Sequence, residues 1–135
     1  MKVLEFAFDS RDGGDYRPHS YPKNCIAYVG THDNEPVHGW MESAAPEDVA
    51  RAVRDRNLTK KEGYHWCRMR GIWSSAADLA VVQAQDLLGL GHESRMNTPS
   101  TLGGNWCWRA EPGVFNTRLA KKLHSEMELY GRLPE

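Results

Sequence analysis

What most limits how this chain can fold is an alternation of short, continuous apolar runs with stretches of helical period. Cys25-Ile26-Ala27-Tyr28-Val29 is the cleanest such run, and it stops abruptly at Gly30-Thr31-His32-Asp33-Asn34. Val3 to Phe8 and Leu79-Ala80-Val81-Val82 have the same character, so three buried strands are predicted. Helical continuation from Ala76 competes with the third. Between the runs, Pro46-Glu47-Asp48 opens a helix, with proline in the first turn and acids at the positive end of the dipole. Its apolar side is expected to carry Ala50, Val53 and Leu58. From Glu62 to Ser74, the residues Trp66, Met69, Ile72 and Trp73 recur at spacings of three and four. A last helix, Thr117 to Tyr130, would align Leu119, Leu123, Met127 and Tyr130.

Strands separated by helices imply parallel βαβ units, hence an α/β class. A complete (β/α)8 barrel takes ~250 residues, and 135 are present. Three strands in that length look like part of such a barrel, and 1–135 reads as a single partial domain without repeats or linkers. The connecting loops are polar or rich in glycine and proline. One runs from Gly13-Gly14-Asp15 through Pro18 and Pro22, and a short turn is expected at Leu87-Leu88-Gly89-Leu90-Gly91. Asn97 to Arg109 has no clean period and reads as an ordered loop.

Seventeen basic residues face eighteen acidic ones, a formal net charge of −1. With no basic field to hold a polyphosphate or an anionic bilayer, neither nucleic acid nor membrane is an expected partner. No stretch approaches the ~18 apolar residues of a membrane span. Cys25, Cys67 and Cys107 are odd in number and widely spaced, which suits neither a disulfide framework nor a zinc site and points to a reduced, cytoplasmic setting. The histidines at 19, 38, 65, 92 and 124 show no ligand spacing, so no metal and no cofactor is expected, and each reads as a surface or loop residue. Five Trp and five Tyr in a chain of mean hydropathy −0.66 suit sugar faces as well as a protein core.

The sharpest candidate for chemistry is Gly30-Thr31-His32-Asp33-Asn34-Glu35, directly after a buried strand, because barrel enzymes collect catalytic side chains at the carboxyl ends of their strands. A surface turn capped by Asp or Asn is the competing reading. Gln83, Gln85 and Asp86, at the end of the last strand, would either face a ligand or satisfy loop amides.

Several segments, in the same order, resemble the amylomaltase (4-α-glucanotransferase) family. They are Met1-Lys2-Val3-Leu4-Glu5-Phe6-Ala7-Phe8, Tyr21-Pro22-Lys23-Asn24, Tyr28-Val29-Gly30-Thr31-His32-Asp33-Asn34 and Gln85-Asp86-Leu87-Leu88-Gly89-Leu90-Gly91. Arg95-Met96-Asn97-Thr98-Pro99, Gly103-Gly104-Asn105-Trp106-Cys107-Trp108-Arg109 and Glu128-Leu129-Tyr130-Gly131-Arg132 follow. Glu5, where the family commonly has glutamine, and Cys107, where a polar or charged residue is more usual, depart from the pattern.

The resemblance implies the C-terminal part of a TIM-type barrel, about its last three strands and their helices. It also implies a retaining transfer of α-1,4-glucan segments between maltooligosaccharides. In that mechanism an aspartate on the fourth strand attacks, a glutamate after the fifth protonates the leaving oxygen, and the 4-hydroxyl of another glucan completes the exchange. Both of those carboxylates are expected upstream of Met1. Asp33 would be the third, holding sugar hydroxyls and favouring the oxocarbenium-like ring. His32 would donate to the same hydroxyls and Asn97 would contact sugar near the cleaved bond, while Trp106 and Arg109 would hold their loop in place. The chain alone is therefore expected to be inactive. Two other readings stand beside this one: an α-glucan-binding module without catalysis, and one part of a split barrel that needs an N-terminal barrel fragment or self-association.

Overall fold

The computed structural model describes residues 1–8 and 16–134, so the glycine pair at 13 and 14 lies outside the described residues. Three short parallel strands form one sheet: β1 (Lys2–Val3), β2 (Ile26–Tyr28) and β3 (Leu79–Val81), in the order β1-β2-β3. Ala27 stands opposite both Lys2 and Ala80, which places β2 in the centre. The second and third strands lie where the apolar runs predict them, but they are not buried as expected: Ala27 is buried, whereas Ile26, Leu79 and Val81 are exposed.

The first run differs from expectation. Only Lys2–Val3 is extended, and Leu4–Phe8 curls into a 3-10 turn. The turn stays tied to the sheet because the Glu5 amide donates to the Val29 carbonyl at 3.0 Å. The curl also buries neighbours that a strand would send to opposite faces, Leu4 and Glu5 among them.

Among the described residues, five α-helices accompany the sheet. The first, α1 (Val37–Ser43), is not signalled by any period, and its N-terminus is capped from a distance by Asp86, whose Oδ1 accepts from the Val37 amide at 2.8 Å. Next comes α2 (Pro46–Arg56), with Pro46 in its first turn, Glu47 and Asp48 behind it, Arg54 and Arg56 in its last turn and a left-handed Asn57 at its end. Ala52 and the following Leu58 are buried and Val53 packs partly buried against the core, so of the expected face only Ala50 differs, being exposed.

Helix α3 (Tyr64–Trp73) is the core helix, with Trp66, Met69, Ile72 and Trp73 all buried as their spacing predicts. Each such side chain contributes roughly 1.5–3 kcal/mol by leaving water. Its last carbonyl is capped by Arg132, which donates to the Trp73 carbonyl at 2.7 Å and also to the Ala77 carbonyl in the following turn at 3.0 Å. The short α4 (Ala84–Leu87) begins within the stretch read as leaving the strand. Finally, α5 (Thr117–Leu129) starts at Asn116, whose side chain accepts from the Leu119 amide at 2.9 Å. Leu119, Leu123, Met127 and the adjacent Tyr130 pack on the core as one stripe.

Ionisable side chains are buried beneath the strand ends, Arg68, Glu5 and Asp86 among them. Arg68 is fully buried, with its guanidinium carbon 4.4 Å from the Trp40 ring centroid and 5.2 Å from that of Phe8. None of its three nitrogens has a hydrogen-bond partner among the described residues. Glu5 is buried nearby, with Oε2 also unpartnered among the described residues, and burial pushes its carboxyl up to about 8 although the Arg68 charge pulls the other way. No described helix is long and apolar enough to cross a membrane.

Candidate functional site

The site is built where β2 ends. Gly30 allows the close approach there: a Cβ on it would stand 3.0 Å from Glu5 Oε2 and 3.4 Å from both Asn34 Cβ and Gln83 Nε2. The chain then turns over Thr31 to Asn34. Asn34 Oδ1 accepts from the Thr31 amide at 2.9 Å and from the Thr31 hydroxyl at 2.8 Å, while the Asn34 amide donates to the Thr31 carbonyl at 3.0 Å. Gln83, from the end of β3, donates to that same carbonyl at 2.5 Å. The turn is therefore tied to the neighbouring strand as well as closed on itself.

Asp33 projects from this turn with 47% of its side chain exposed, and His32 with 54%. Asp33 Oδ1 receives the Asn97 side-chain amide at 2.6 Å and lies 3.3 Å from His32 Nε2. The Asn97 backbone amide donates in turn to the His32 carbonyl at 3.1 Å. The three residues singled out from the sequence, Asp33, His32 and Asn97, thus meet at one point although 64 positions separate 33 from 97. Both contacts fall on Oδ1, so Oδ2 can accept from a ligand hydroxyl.

Sequence reasoning missed the residue that joins the two loops. Arg95 donates to the Asn97 carbonyl at 2.9 Å, to the Asp33 carbonyl at 2.6 Å and to Glu35 Oε1 at 2.6 Å. A planar guanidinium spreads its donors over three nitrogens and so reaches three acceptors on two segments in a fixed fork, whereas an ammonium must gather its partners around one nitrogen. Glu35 also receives His92 Nδ1 at 2.8 Å. The available signal was the Arg-Met-Asn triplet together with the acid two residues after Asp33, but nothing local in sequence pairs positions 60 apart.

Polar residues at the end of β3 serve the loops. Gln85 donates to the Ser94 carbonyl at 3.1 Å, Asp86 caps α1, and Gln83 holds Thr31. The loop at 97–109 has no helix or strand, as expected. Trp106 holds it through its backbone, its amide donating to the Met96 carbonyl at 2.7 Å. Its ring does not pack inward, being 60% exposed at the residue level and 4.9 Å from the His32 ring centroid. Arg109 is exposed, so the anchoring expected of that side chain is not seen.

Two histidines depart from the surface reading. His38 Nε2 and His65 Nδ1 are 3.1 Å apart, bridging α1 and α3, and burial followed by the His38 and Lys122 charges lowers His65 to about 4. No group of three or more potential metal ligands occurs among the described residues.

This arrangement of strand end, carboxylate and clamped loop can be set against known proteins. The family profile described as 4-alpha-glucanotransferase matches residues 1–115. The chain belongs to this family. Among curated relatives, the 4-alpha-glucanotransferase of Clostridium butyricum is 47% identical over 133 residues, which is 98% of this chain and 27% of that protein. That of Thermus thermophilus is 39% identical over 140 residues, 98% of this chain and 28% of that one. The structure of an amylomaltase from Streptococcus agalactiae in complex with acarbose superposes with a TM-score of 0.91 at 34% identity, covering 99% of this chain and 27% of that chain. The chain thus spans about a quarter of the length of the family members it matches, and its small parallel sheet with surrounding helices is the α/β arrangement it shares with that amylomaltase.

Proposed function

We infer that the chain is the C-terminal part of the catalytic barrel of a 4-α-glucanotransferase, with β1, β2 and β3 standing as its last three strands. Its substrates are α-1,4-glucans of the maltooligosaccharide class. The observation that carries the reading is the 2.6 Å bond from Asn97 to Asp33, which joins the loop after β3 to the carboxylate after β2. Chemically, an exposed carboxylate with one oxygen steadied by an amide and the other open is suited to accept sugar hydroxyls. Such bonds strengthen as positive charge develops on the ring, so they favour the transition state over the ground state. His32 and Asn97, with their N–H groups beside the same oxygen, act as donors to neighbouring hydroxyls.

A retaining transfer also needs a nucleophile and an acid/base, whose loss typically removes ~10⁴-fold or more of the rate. By itself this chain carries only the charge-stabilising carboxylate of the three. The purified chain should therefore bind maltoheptaose and lose that binding in Asp33→Ala, while leaving maltotriose undisproportionated. Binding unaffected by the substitution, or exchange by the chain alone, would refute the assignment.

One observation favours assembly with the remaining part of a barrel. Among the described residues β1 and β3 each pair on one side only, and Leu79 and Val81 on β3 and Ile26 on β2 are exposed apolar residues. Copurification with a chain that supplies the earlier strands would support this, and a stable monomer would count against it. A reduced, cytoplasmic setting fits the three free thiols at 25, 67 and 107.

A further inference from the structure

Trp106 combines three properties that do not ordinarily coincide. Its φ is +61°, in the left-handed region where a bulky side chain is disfavoured. Its ring is not packed away, since the residue is 60% exposed. Its indole nonetheless sits 4.9 Å from the His32 ring, tilted by 42°, and His32 Nε2 is 3.3 Å from Asp33 Oδ1.

The strained backbone is imposed by the loop. The Trp106 amide donates to the Met96 carbonyl at 2.7 Å, and the adjacent Asn105 side chain accepts from the Thr98 amide at 2.9 Å. Gly103 and Gly104, at φ +78° and +73°, have open space where a Cβ would be, so their conformation rather than crowding calls for glycine. This turn is shaped to set residue 106 beside His32. A buried ring would offset the strain through packing, but this residue is 60% exposed, with His32 as the ring beside it.

We propose that Trp106 is a stacking platform that takes the apolar face of a glucose unit of an α-1,4-glucan, next to the unit whose hydroxyls Asp33 and Asn97 hold. This rests on the functional reading above and extends it to a side chain that neither the loop's hydrogen bonds nor the core requires. An indole offers a broad, rigid apolar face with little conformational freedom to lose on binding. The backbone bonds at 96 and 106 fix its position before ligand arrives.

The test uses Trp106→Gly, which removes the ring and also relieves the positive φ, with Trp106→Phe as the variant that keeps an aromatic face. Maltoheptaose is titrated into the chain and both variants, following the Asn97 side-chain amide by nuclear magnetic resonance, with urea midpoints measured in parallel. Loss of the platform should weaken binding roughly tenfold in Trp106→Gly, with a urea midpoint equal to or above the parent's, and Trp106→Phe should recover most of the affinity. If Trp106→Gly binds as tightly as the parent while the Asn97 amide still responds, the platform is wrong and the glucan site stands. A drop in affinity with an equal drop in the urea midpoint would overturn the platform in favour of a structural role. Should the Asn97 amide of the parent fail to respond to maltoheptaose, both readings fall together.

Discussion

Replacing Glu5 by glutamine isolates the effect of one buried acid. The carboxyl lies under the Gly30 turn with one oxygen unpartnered among the described residues and is pushed from an ordinary 4.5 to about 8, chiefly by burial. A group whose folded value is raised holds its proton in the native state where the unfolded chain releases it. Folding stability is then complete below about 4.5 and declines as pH rises towards about 8. At about 1.4 kcal/mol for each pH step, the whole span corresponds to roughly 5 kcal/mol, of which about 4 falls between about pH 5 and pH 8.5. The amide has the same shape and no proton to lose, so Glu5→Gln should match the parent near pH 5 and exceed it increasingly towards pH 8.5. With a urea slope of ~1.5 kcal/mol per molar, the two midpoints should separate by roughly 2 to 3 M over that range. Urea titrations by circular dichroism at four or five pH values suffice, because taking the difference between the two proteins at each pH cancels every other titrating group. Parallel midpoint curves would mean that Glu5 is ionised in the native protein, and the argument from burial would be wrong.

Two further outcomes follow from the same physics. His65 is lowered from 6.5 to about 4, so the unfolded chain binds its proton first and stability is lost as pH falls from about 6.5 towards 4; an imidazole resonance of residue 65 titrating near its ordinary value in the folded protein would contradict this. Arg95→Lys keeps the charge but not the fork, and should cost about 2 kcal/mol in denaturation and weaken maltoheptaose binding with Asp33 and Asn97 untouched; unchanged affinity would show that the two loops hold their places without the clamp.

The parts of this structure that a reader of the sequence can find are those whose information is local. Trp66, Met69, Ile72 and Trp73 declare α3 by their spacing, and Ile26 to Tyr28 declare the central strand by being apolar without a break. Leu4 to Phe8 mislead because a short apolar run is equally compatible with a strand and with a tight turn. Helix α1 is hidden because its cap, Asp86, is 49 positions away, and because it carries Gly39, where a Cβ would come within 2.5 Å of Glu35 Oε2. His32 and Asp33 stand out by their place directly after a strand, whereas Asn97 and the roles of all three come from the amylomaltase resemblance, which encodes a proximity that no period does. Arg95 and the His38–His65 pair act across the fold, and only coordinates reveal what they touch.

The order of the strands has a consequence for synthesis on the ribosome. Because Ile26 stands opposite Leu79, the middle strand emerges with a neighbour on one side and then waits for some fifty more residues before its second neighbour exists. At ~5–20 residues per second that delay is several seconds, far longer than a helix needs to form. During it, α2 and α3 can assemble while one row of peptide groups on residues 26 to 28 stays wet, which makes this interval the moment at which a nascent chain of this kind is most exposed to pairing with the wrong partner.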